Sequence, residues 1–66
     1  MSNENAISDA LKLFNISLSN LEAAMTIVEY AVQNDMPISN LAKITIDESC
    51  EEIQNSAKLL SHLLGE

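Results

Sequence analysis

Ile7-Ser8-Asp9-Ala10-Leu11-Lys12-Leu13-Phe14-Asn15-Ile16-Ser17-Leu18-Ser19-Asn20-Leu21-Glu22-Ala23-Ala24-Met25-Thr26-Ile27-Val28-Glu29-Tyr30-Ala31-Val32 is the stretch that decides the fold. Within it Ile7, Leu11, Phe14, Leu18, Leu21, Met25, Val28 and Val32 recur at alternating steps of four and three. Residues so spaced share one side of an α-helix, so the row is a continuous hydrophobic seam that must be covered by another helix. Beyond a break at Asn34-Asp35-Met36-Pro37 a second ladder follows: Ile46, Cys50, Ile53, Ala57, Leu60, Leu64. Two helical segments joined by a short turn predict an all-α antiparallel hairpin.

In heptad terms Leu11, Leu18, Met25 and Val32 occupy a, and Ile7, Phe14, Leu21 and Val28 occupy d. The g sites beside them are all small: Ala10, Ser17, Ala24 and Ala31. In the second segment Ser49 and Ser56 play the same part. Small residues flanking a seam permit close helix approach, and these two sets are placed to face each other across the hairpin.

The helix boundaries are less sharply written. Asn15, Ser17, Ser19 and Asn20 are weak helix formers, and Ser19-Asn20-Leu21-Glu22 reads as a capping box that would start a new helix. Burial of Phe14, Leu18 and Leu21, at about 1.5–3 kcal/mol each, offsets that weakness. The expectation is one long helix, kinked near Ser19. Ile38, Leu41 and Ala42 are out of phase with the ladder from Ile46, and Thr45-Ile46-Asp47-Glu48 also matches a capping box. A short turn helix over 38–44 and a main helix from Ile46 to Leu64 are therefore expected. Gly65 stands where a helix C-cap glycine belongs.

A second apolar stripe, Leu13, Ile16, Ala23, Ile27 and Tyr30, lies off the seam, and Leu59 and Leu63 flank the last helix. A two-helix hairpin buries one face per helix, so this surplus calls for company. Two hairpins packed as a four-helix bundle would cover it; a monomeric three-helix bundle broken near Ser19 is the alternative. Leu13, Ile16, Ile27, Tyr30, Leu59 and Leu63 are the expected self-association or partner face, with Tyr30 its anchor.

At 66 residues the chain has room for a single domain. A core of that size rarely supplies more than about 3–5 kcal/mol, so small chains recruit a disulfide, a metal or a partner. One cysteine, Cys50, forbids an internal disulfide, and one histidine, His62, has no cysteine partner for a zinc site. No cofactor or metal is expected. Partnership is left, and 47% hydrophobic residues in so short a chain agrees with it.

Ten carboxylates against three lysines give a net charge of −7. Such a surface repels phosphate and anionic membranes, and it attracts basic partners. Direct nucleic-acid or membrane binding is not expected. Ile38-Ser39-Asn40-Leu41-Ala42-Lys43-Ile44 has the flavour of the first helix of a helix-turn-helix. The turn glycine is missing, however, and the would-be reading helix carries Asp47, Glu48, Glu51 and Glu52. Those four carboxylates suit the first turns of a helix, where they complement its dipole, and they form the expected docking surface for a basic protein.

Catalysis finds no footing. Cys50 and His62 are twelve residues apart, roughly 18 Å along one helix, so no base reaches the thiol. Cys50 reads as a small core residue and His62 as a solvated one near a helix C-terminus. Glu22 and Glu29 are placed to pair with Lys43 or Lys58 across helices. Asn15-Ile16-Ser17 fits a glycosylation sequon but lies in a helical pattern. The acidic start, the lack of an apolar run of membrane length and the single thiol point to the cytoplasm.

The expected function is a non-catalytic acidic interaction module or regulatory adaptor, acting as a homodimer. The alternative is an acidic inhibitor that mimics nucleic acid and blocks a nucleic-acid-binding enzyme or regulator.

Overall fold

The computed structural model describes residues 2–65, with side chains over 4–65, as two antiparallel helices. Helix α1 runs Ser2–Gln33 and α2 runs Asn40–Gly65. The helices are long and pack only on each other, giving a rod of 51 × 15 × 13 Å. Neither the expected turn helix nor a third helix of a bundle is present among the described residues.

Helix α1 is continuous through Ser17–Asn20, so Ser19 does not start a helix. The side chain of Ser17 is inside the hairpin, 1% exposed, where its small size is an asset that outweighs modest propensity. The helix ends in a Schellman motif. The Met36 N–H donates to the Ala31 carbonyl at 2.8 Å, and the Asp35 N–H to the Val32 carbonyl at 3.4 Å. Asp35 takes the left-handed conformation this motif demands, with φ of 53°. Asn34 adds a side-chain bond, its Nδ2 donating to the Tyr30 carbonyl at 2.8 Å. Pro37 then keeps the chain from resuming helix.

Helix α2 starts earlier than the capping boxes suggest. Ser39 is its N-cap: the Oγ accepts from the N–H of Leu41 at 3.0 Å and of Ala42 at 3.3 Å. From there one helix passes through Ile44-Thr45-Ile46, so the Thr45–Glu48 box is not used and the helix-turn-helix break does not exist. Gly65 ends the helix without a positive φ, and the left-handed cap of this fold falls on Asp35 instead.

The centre of the hairpin is the row of small residues. Ala10, Ser17, Ala24 and Ala31 of α1 and Ala42, Ser49 and Ser56 of α2 are the buried residues among those described. The two apolar ladders are rotated off this line. Their nearer members, Ile7, Phe14, Leu21, Val28, Ile46, Ile53 and Leu60, are half-buried. The further ones, Leu11, Leu18, Met25, Val32 and Leu64, are exposed. Cys50, expected in the core, is exposed as well. Close approach accounts for the rotation: two backbones meet at short range only across alanine and serine, and the larger side chains close over that line from the sides.

Candidate functional site

A row one residue beyond the small row is turned from it by about 100° around the helix. In an antiparallel pair these turned rows of both helices come out on the same side. Leu11, Leu18, Met25 and Val32 of α1 therefore share a surface with Lys43, Cys50, Ala57 and Leu64 of α2. A shallow groove lined by Glu22, Met25, Thr26, Val28, Glu29 and Ile46, about 430 Å³ in volume, lies on this side. It is the ladder face.

The opposite side holds the second stripe. One groove there joins Ile27, Asn20 and Ala23 of α1 to Leu41 and Thr45 of α2 and to the N-cap Ser39, and has a volume of about 200 Å³. Another joins Leu13 to Glu52, Asn55 and Leu59. Ile16 and Tyr30 lie further out on α1, at 60% and 61% exposure. This is the tyrosine face. Of the six residues that the sequence assigns to self-association, Leu13, Ile27 and Leu59 line its grooves, and Ile16 and Tyr30 form its outer edge on α1. Leu63 stands apart. It continues the line of Ala42, Ser49 and Ser56 towards the open end of the hairpin and is half-buried.

The two faces differ in chemistry. The tyrosine face is interrupted by Asn20, Ser39, Thr45, Glu52 and Asn55 in its grooves. Glu52 is held there by a side-chain hydrogen bond between the helices: Ser17 Oγ donates to Glu52 Oε1 at 3.2 Å. The ladder face carries one charge, Lys43, in its central rows, with Glu22 and Glu29 at its α1 margin. Within the hairpin, among the described residues, Glu22 and Glu29 form no ion pair with Lys43 or Lys58.

Asp47, Glu48, Glu51 and Glu52 are all exposed. Because α2 begins at Asn40, Asp47 starts two turns in, so these carboxylates are not first-turn partners of the dipole. Among the described residues no three His, Cys, Asp or Glu side chains converge as a metal would require. Cys50 and His62 sit on the same helix three turns apart, both exposed. No helix among the described residues is long and apolar enough to cross a membrane.

The outward turn of the a row has one signal in the sequence. Alanine and serine repeat every seven residues on both helices, and a small row on two partners is itself a candidate contact line rather than its margin. Comparison with known proteins returns no match: no family model fits the sequence, and no curated protein or solved structure matches it. Function must be argued from the faces.

Proposed function

We propose that this chain is a non-catalytic, acidic protein–protein interaction module that acts as a homodimer and presents its remaining apolar face to another protein, as an adaptor or small regulator in the cytoplasm. The observation that carries this reading is surface left uncovered. The hairpin exposes 5046 Å², where a globular monomer of 7.2 kDa would expose about 4100 Å². Its radius of gyration is 15.1 Å, against about 11 Å for a compact chain of this length. The excess of about 900 Å² is close to the ~800 Å² that each partner contributes to a stable protein interface.

Much of that surface is large and apolar. Met25, Ile27, Tyr30 and Val32 are each more than half exposed. A hairpin whose buried line is alanine and serine gains little hydrophobic stabilisation alone, and association supplies the rest. With two apolar faces and one second copy, one face is left for another protein. The tyrosine face suits that role, since polar groups within its grooves give hydrogen-bonding specificity beside apolar anchors. The exposed thiol of Cys50 is consistent with a reducing compartment.

Binding of the partner through this face is expected to tolerate 0.5 M salt and to be lost in Ile27→Asp and Tyr30→Asp, measured by capture with the tagged full chain. Failure of both substitutions to reduce capture overturns the assignment.

The second reading, a nucleic-acid mimic, draws on four exposed carboxylates within six residues of α2. It predicts the reverse: binding that falls steeply with salt and is abolished by charge reversal at Asp47, Glu48, Glu51 and Glu52. The salt series separates the two.

A further inference from the structure

We propose that two copies of this chain pair through their ladder faces, with α1 of each copy lying over α2 of the other. This deepens the homodimer reading above and rests on it.

Both helices present this face with one period. The outer rows of the ladder face, Leu11, Leu18, Met25 and Val32 on one helix and Lys43, Cys50, Ala57 and Leu64 on the other, both repeat every seven residues. Inside them run Phe14, Leu21 and Val28 beside Ile46, Ile53 and Leu60, half-buried and open on the outward side. Repeats of seven sustained over four heptads suit another pair of helices of like length and like repeat. A second hairpin has both.

Size complementarity selects the way the copies meet. The Ser17–Glu52 hydrogen bond fixes which residues stand level along the rod. In that register Leu18 stands within one residue's rise, about 1.5 Å, of Cys50, and Leu11 within the same distance of Ala57. A two-fold axis parallel to the helices keeps every residue at its own height while placing α1 over the other copy's α2. Leu11 and Leu18 then each meet a small residue, and by symmetry the same fit is made twice. Laying α1 on α1 would set large on large, and laying α2 on α2 would leave Cys50 and Ala57 without a large partner from α1.

Charge enters this arrangement with both signs: Asp47, at the α2 margin as Glu22 is at the α1 margin, stands level with Glu22 of the other copy, and Lys43 lies one turn from Asp47 to answer both. Met25 and Lys43 stand within one residue's rise of each other, and Glu22 and Glu29 lie one turn to either side of Met25 along the margin of its groove. With α1 over the other copy's α2, the stem of Lys43 covers Met25 and its ammonium reaches those two carboxylates. The three side chains that make no ion pair with one another inside a hairpin thereby acquire partners between hairpins. The surplus area is about that of one side of a stable interface, enough for one face to be paired with a second copy.

The test uses the full chain and its native thiol. Sedimentation equilibrium across a concentration series gives the mass, and the rate of reaction of Cys50 with a disulfide reagent is read on the same samples. The expected result is a two-chain mass at high concentration, with Cys50 at least tenfold slower there than after dilution to single chains. Leu18→Glu is expected to weaken pairing at least a hundredfold, whereas Ile27→Glu leaves it within about threefold. Lys43→Glu, an exposed change outside the buried line, is expected to weaken pairing about tenfold and to be restored by Glu22→Lys with Glu29→Lys; circular dichroism at matched concentration checks that each variant is helical.

A dimer in which Cys50 stays fully reactive, or one broken by Ile27→Glu and not by Leu18→Glu, overturns the face. A Cys50–Cys50 disulfide formed readily by the dimer under mild oxidation overturns the helix pairing, because the arrangement sets the two thiols on diagonally opposed helices. A single-chain mass at every concentration overturns the homodimer reading itself.

Discussion

Asp35 holds a left-handed position that most helix ends give to glycine, and it does so with a carboxylate at the negative end of a helix dipole. Both features cost stability. Asp35→Gly is expected to stabilise the hairpin by about 1 kcal/mol, seen as a rise in thermal midpoint at fixed protein concentration. Ser39 is the opposite case. Its hydroxyl oxygen accepts from two N–H groups that have no partner within the helix, so Ser39→Ala is expected to lose about 1 kcal/mol in the same measurement. The turn was readable in Asn34-Asp35-Met36-Pro37, and these two residues show what was not. Ser39 lies only two residues past the proline, and the competing boxes at Ser19 and Thr45 match the same pattern. A capping pattern becomes a cap only where the chain is leaving another structure, and at Ser19 and Thr45 packing continues the helix.

At the scale of the helices, the contact line of small residues sets how near α1 and α2 can lie. Ala24 is 3% exposed. Ala24→Leu forces the helices apart along their length and is expected to cost about 1–3 kcal/mol, with loss of helicity by circular dichroism. Ser17→Ala is expected to be nearly neutral. It removes one hydrogen bond to an exposed carboxylate, worth about 0.5–1.5 kcal/mol, and gains roughly 0.5 kcal/mol in helix propensity. A larger loss on Ser17→Ala, in urea unfolding at matched concentration, would mean that the Ser17–Glu52 contact does more than fix register. The period of both helices was legible from residue spacing alone, and so was their antiparallel pairing. The phase was not: the large ladders and the small rows repeat with the same interval, and either satisfies a helix that needs one covered side.

At the scale of the whole molecule, a rod with two apolar faces and a net charge of −7 is pulled two ways. In the proposed dimer apolar area draws copies together while like charge holds them apart. Added salt screens the repulsion and leaves the apolar term in place, so raising sodium chloride from 50 to 500 mM is expected to tighten self-association about threefold or more, measured by light scattering. Weakened pairing at high salt would show instead that contacts such as Lys43 to Glu22 and Glu29 outweigh the net repulsion.

The order of residues by itself determined that the chain is helical, where it turns, that its surface is acidic, and that it carries more apolar side chain than two helices can hide. Those follow from local propensity, spacing and composition, none of which needs a neighbour. Only the tertiary structure decided which row lies at the centre, that α2 begins at Asn40, and that Leu11, Leu18, Met25 and Cys50 look outward. The reason is distance between helices. Alanine and serine let the backbones close up, and once they do, the large ladders have no room between them and must turn to the side.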